Sequence, residues 1–147
     1  MFCGCGTVAF EAKRSNIDFW GCDINPVATM IARVKSQKYD SQMLRNYLAL
    51  ILEEYSELKI AKKSYSQANE RLQYWFSKKR YENLKKLKLA IEKSTPKNNK
   101  YRLFFICAFS NILKATSRWL TKSIKPQIDP KKKRANVLDV FKKQSEK

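Results

Sequence analysis

From about residue 41 onward, apolar positions recur at steps of three and four. Leu44, Tyr47, Leu48, Ile51, Tyr55 and Leu58 fall on one face of a helix running to about Lys62. A second helix is predicted over 78–93, where Tyr81, Leu84, Leu87 and Ile91 share a face and Ser77 is placed to cap it. "STPKNNK" (94–100) is a polar break containing a proline. A third helix follows over about 101–123, burying Leu103, Phe105, Ile106, Phe109, Ile112 and Leu113. Beyond Pro126 a basic stretch carries Val137, Leu138, Val140 and Phe141, a pattern that fits one short helix or one short strand.

The first 36 residues read differently. Gly4 and Gly6 mark a turn, "TVAFEAKR" (7–14) suits a short helix, and "IDFWGCD" (17–23) reads as a short buried strand ending at Asp23. "NPVATMIARVKS" then begins a helix with Asn25 as N-cap and Pro26 at the first helical position. Turn, helix, strand and helix in that order are the βαβ rhythm of a doubly wound sheet without its first strand. The expected fold class is α/β at the N-terminus, a partial Rossmann-like sheet lacking its first strand, followed by a mainly α-helical segment. The expected divisions are a βαβ segment over 1–36, a helical insert over 37–124 and a basic tail over 125–147.

Composition adds an anionic partner to this outline. The 147 residues are 44% hydrophobic and 12% aromatic, enough for one domain with a core, yet the net charge is +18 and histidine is absent. Residues 1–36 carry Lys13, Arg14, Arg33 and Lys35 against Glu11, Asp18 and Asp23, so nearly all the excess charge lies beyond them. Nucleic acid and membrane surfaces are the partners such a charge favours. The most apolar run, "LFFICAF" (103–109), falls far short of the roughly 20 residues of a membrane span. Cys3, Cys5, Cys22 and Cys107 show no CxxC spacing, and no histidine is present to complete a zinc site. They are expected as reduced, mostly buried thiols in a cytoplasmic protein without a metal.

A glycine turn between strand and helix brings backbone N–H groups close to a ligand, and an acid at the end of the next strand can hold a ribose. Gly6 and Asp23 are 17 residues apart, near the roughly 20 expected for such a pair. Nicotinamide dinucleotides and S-adenosylmethionine both fit.

The residues around these two positions narrow the choice. "FCGCGT" followed by "GCDINPVA" resembles the F-x-G-x-G-T and G-x-D-x-N-P segments of S-adenosylmethionine-dependent DNA methyltransferases acting on the amino group of cytosine or adenine. The resemblance implies that Phe2, Gly4, Gly6 and Thr7 wrap the methionine end of the cofactor. It also implies that Asp23 holds the ribose, with Ile24, Asn25 and Pro26 beside the adenine. "LQYWFSKKRYENLKKLKLAIEK" and "YRLFFICAFSNILKATSR" are similar to the helical stretch that separates cofactor loop from catalytic loop in some of these enzymes.

Two parts of the family pattern are missing. No Asp-Pro or first strand precedes Phe2, and prolines occur only at 26, 96, 126 and 130, so the Pro-Pro-aromatic catalytic loop is absent. The resemblance therefore implies a methyltransferase fragment with no catalytic residue of its own, inactive alone or dependent on a second polypeptide that supplies the loop. The competing expectation is a non-enzymatic, basic helical nucleic-acid-binding protein. A nicotinamide-dependent oxidoreductase half is the third.

Lys131, Lys132, Lys133 and Arg134 form a basic run suited to DNA phosphates, which would give salt-dependent, sequence-blind affinity. Trp75, Phe76, Phe104, Phe105 and Trp119 have the chemistry to stack on bases, but apolar neighbours at helical spacing assign them to helix packing.

Overall fold

A computed structural model describes residues 3–61, 63–120, 125–133 and 135–146. Seven helices order the described chain: α1 (Thr7–Arg14), α2 (Pro26–Ser36), α3 (Ser41–Glu57), α4 (Glu70–Trp75), α5 (Lys78–Ser94), α6 (Lys100–Thr116) and α7 (Val137–Ser145).

Short polar side chains start most of them. The side chains of Asn25, Asp40, Asn69, Asn99 and Asn136 each accept a backbone N–H of the first turn of α2, α3, α4, α6 and α7, satisfying a donor that has no partner inside the helix. Ser77 occupies the N-cap of α5 but makes no side-chain capping bond.

The core lies between α3, α5, α6 and α7. Ile51 of α3, Leu84, Leu87, Ala90 and Ile91 of α5, Phe105, Ala108 and Ile112 of α6, and Val137 and Phe141 of α7 form one buried cluster, joined by Phe76. The helix-period faces predicted for α3 and α5 are the faces that pack. The pattern at Val137–Phe141, which suits a helix or a strand, resolves as helix, with Val137 and Phe141 fully enclosed.

Local hydrogen bonding sets the helix ends. Between α5 and α6, the guanidinium of Arg102 reaches back to the carbonyls of Glu92 and Thr95 and to Thr95 Oγ1 (3.1 Å), covering carbonyls that α5 leaves open. Asn98 turns the chain there with φ 57°. α6 stops at Thr116, short of the expected end near 123, because the next residues bond elsewhere. Arg118 N–H donates to Trp75 O (2.9 Å), and Leu120 N–H to Gln127 O (2.8 Å). The expected positions 121–123 lie outside the described residues, as does Lys62 at the expected end of α3, which closes at Glu57.

The expected α/β class is overturned. Among the described residues there is no β-strand and no sheet; pairing of β type is limited to isolated bridge positions at Cys22 and between Trp119 and Ile128. Residues 17–23 are irregular, with Ile17 65% and Trp20 80% exposed, so the predicted buried strand is absent. A strand exists only through ladder hydrogen bonds to a neighbour, and none of the described segments supplies one. α1 and α2 pack on each other through small residues, Gly6, Ala9, Ala28 and Ala32, and α2 rests on α6.

Candidate nucleic-acid interface

The glycine turn and the acid do meet. Asp23 Oδ2 accepts the Gly4 N–H and Oδ1 accepts the Asn25 N–H, both at 2.9 Å, and Asn25 Oδ1 in turn accepts the Val27 N–H. Cys3 N–H donates to Cys22 O at 2.8 Å. Gly4 and Gly6 have φ of 45° and 77°, a region where a side chain is strained. Gly6 caps α1 against α2, since a Cβ there would lie 2.5 Å from Ala32 Cα. These features close a loop and dock two helices.

That geometry, with no sheet beneath it, overturns the S-adenosylmethionine assignment and with it the methyltransferase-fragment identification. In a Rossmann-type site, parallel strands hold the glycine turn and the acid apart across a crevice, leaving both to face the cofactor. Here both carboxylate oxygens of Asp23 take backbone N–H groups of its own loop. The hollow alongside, about 340 Å³, is lined by Cys3, Ala9, Phe19, Trp20, Gly21, Thr29, Ala32, Arg33 and Ser36. Gly4, Gly6, Thr7, Asp23, Ile24, Asn25 and Pro26 do not line it. Thr7, Asn25 and Pro26 are exposed, Ile24 is 93% exposed, and Phe2 lies outside the described residues.

The basic run at 131–134 has a different environment. Asp129 Oδ1 accepts the Lys131 N–H and turns the chain. Lys132 then reaches inward, its ammonium donating to the carbonyls of Lys114 and Trp119, both at 2.8 Å. Lys114 lies in the last turn of α6, where a cation offsets the negative end of the helix dipole. Lys132 is thus an anchor, while Lys131 and Lys133 on either side are exposed. Arg134 lies outside the described residues.

An aromatic ladder stands beside this anchor. Trp75 stacks on Trp119 with centroids 5.2 Å apart and planes at 24°, and Tyr74 meets Trp75 edge to face at 4.9 Å. Lys114 Nζ lies 5.3 Å from the centre of the Trp119 ring. Arg118 ties the ladder to the chain after α6, through its N–H to Trp75 O and its Nη1 to Tyr74 O (3.3 Å). Phe76 and Phe105 are buried, Phe104 packs on Tyr39 and Phe105, and the two tryptophans are half-buried against each other, so packing is the use of the aromatics singled out in the sequence. The exposed ring of this ladder is Tyr74, at 54%, which the sequence pattern did not single out, because α4 is too short for a helical period to show.

No helix among the described residues is long and apolar enough to cross a membrane. No group of three or more histidine, cysteine, aspartate or glutamate side chains comes together as a metal site among them. Searches against models of protein families, curated proteins and solved structures find no match. Class rests on architecture and surface: a small, strongly basic, helical protein.

Proposed function

We propose that this protein is a non-enzymatic, basic helical nucleic-acid-binding protein that contacts the phosphates of DNA. The observation that carries the reading is the arrangement of the 131–133 run, in which Lys132 is fastened to the end of α6 while Lys131 and Lys133 on either side are left exposed. Ordering a mobile segment on a phosphate costs backbone entropy; a run whose middle residue is already anchored has less of it to lose. Charge supply supports it. Residues 37–147 hold 27 basic groups against 10 acidic ones, so most cations there have no acid to pair with. Such a surface gains affinity by releasing the counterions of DNA. The reading extends to a reducing, cytoplasmic setting, supported by four cysteines that form no disulfide.

Fluorescence anisotropy with labelled DNA across a salt series tests it. Binding is expected to weaken steeply with salt, and Lys131→Ala/Lys133→Ala is expected to lower affinity and flatten the log–log salt slope by about two units, roughly one per phosphate contact. Asp23→Ala is expected to bind as the parent does. Affinity that ignores both salt and the double substitution would sink the reading.

A further inference from the structure

We infer that Tyr74 is a stacking platform for an unpaired base, so that the nucleic acid held at this surface is single-stranded; the inference rests on the nucleic-acid reading above.

Three features converge on that ring. Tyr74 is 54% exposed although it belongs to an aromatic ladder whose other members, Trp75 and Trp119, are half-buried. A ring left outside a packed aromatic group keeps one face for a further aromatic partner, and a nucleobase is a flat partner of matching size. The ring is also held at its root. Arg118 Nη1 donates to the Tyr74 carbonyl, and the neighbouring Trp75 carbonyl accepts the Arg118 N–H, so α4 is tied to the chain that leaves α6. Finally, cations lie on the pieces of chain joined to it. Lys114 and the anchored Lys132 adjoin Trp119, and Lys78 and Lys79 are exposed at the start of α5, directly after α4.

An exposed ring among cations distinguishes strands by physics. In a duplex both faces of every internal base are already stacked, so Tyr74 gains nothing and only phosphates contribute. In a single strand a base is available to the ring at little cost, and the same cations track the backbone. Hydrogen-bond readout is not needed, and little sequence preference is expected.

The test compares a twenty-nucleotide oligothymidylate with a duplex of equal length, using the full chain, Tyr74→Ala, Tyr74→Phe and Lys131→Ala/Lys133→Ala, each checked for helicity by circular dichroism. The parent is expected to bind the single strand more tightly than the duplex, with quenching of aromatic fluorescence on binding. Tyr74→Ala is expected to lose about tenfold in single-strand affinity with duplex affinity unchanged, and Tyr74→Phe to retain it, since the face of the ring is what stacks. Tyr74→Ala binding the single strand as the parent does, while the double lysine variant binds weakly, overturns the platform and leaves the nucleic-acid reading standing. Absence of binding to either oligonucleotide overturns both.

Discussion

Asp23 Oδ2 accepts the backbone N–H of Gly4 at 2.9 Å, closing a loop across 19 positions of sequence. The second oxygen takes the Asn25 N–H at the same distance. Asp23→Ala is expected to release this loop and to cost about 1 kcal/mol, because the freed N–H groups are near the surface and water can replace the carboxylate. Hydrogen exchange measured by NMR should show faster exchange at Gly4, with the amides of α5 and α6 unchanged. Loss of protection throughout α5 would mean that the loop supports the core.

The two early glycines are expected to respond differently to alanine. Gly4 has a positive φ and open space around it, so Gly4→Ala is expected to carry the backbone penalty alone, about 1 kcal/mol. Gly6→Ala adds a Cβ against the α2 backbone at Ala32 and must push α1 from α2, costing more. Denaturant midpoints of the two variants, compared with the parent, check the order.

Phe141 carries the attachment of α7. It is fully buried and lies 6.2 Å from Phe105, centroid to centroid. Phe141→Ala leaves a cavity between α6 and α7 and is expected to cost about 3–5 kcal/mol, a large part of the stability of a domain this size. A thermal melt should move down sharply. A shift of only a degree or two would place α7 outside the cooperative unit.

Tyr39 supplies a pH signature. Burial, with Cys107 and Tyr101 nearby, pushes its hydroxyl up to about 12 from the usual 10.0. The unfolded chain therefore loses this proton first as pH rises. Stability linked to Tyr39 is fully present below about pH 10 and is lost as pH climbs towards 12. Tyr39 Oη is buried and finds no hydrogen-bond partner among the described residues. Tyr39→Phe is expected to match or slightly exceed the parent in stability at neutral pH, and to lose less between pH 10 and 12. Urea midpoints across that range decide it.

The expectation of mostly buried cysteines is overturned, Cys3 and Cys107 being half-buried and Cys5 and Cys22 exposed, and labelling separates the two kinds. Cys107, half-buried in α6, has its thiol pushed up by burial, an effect that Lys35 partly offsets, while Cys5 is exposed. Iodoacetamide at pH 8 is expected to modify Cys5 quickly and Cys107 slowly, with the difference vanishing in denaturant. Peptide mass spectrometry resolves the two sites.

Much of the helical framework was legible because helix period is a local property. The apolar faces of α3 and α5 and the cap at Asn25 need only neighbours three or four positions away. α4 was not anticipated: six residues are too few for a period to emerge, and Asn69 alone marked its start. The segment 17–23 misled for the opposite reason. A short apolar run reads as a buried strand, yet Trp20 and Ile17 lie exposed because no partner strand or covering layer is present among the described residues. The glycines and Asp23 misled with it. Gly6 is explained by contact with Ala32, and Asp23 by the loop it closes, neither of which requires a cofactor.

By itself the amino-acid order determined where most helices form, which faces they bury, and that a large positive excess is spread over residues 37–147. Only the tertiary structure decided that the early apolar run makes no sheet, that Lys132 serves the end of α6 while its neighbours stay exposed, and that Tyr74 rather than Trp75 or Trp119 is the uncovered ring of their ladder. The division follows from range. Helix period and capping act within one or two turns of chain, whereas strand pairing, the reach of an ammonium to a carbonyl 18 positions away and the covering of a ring depend on atoms that only folding brings together.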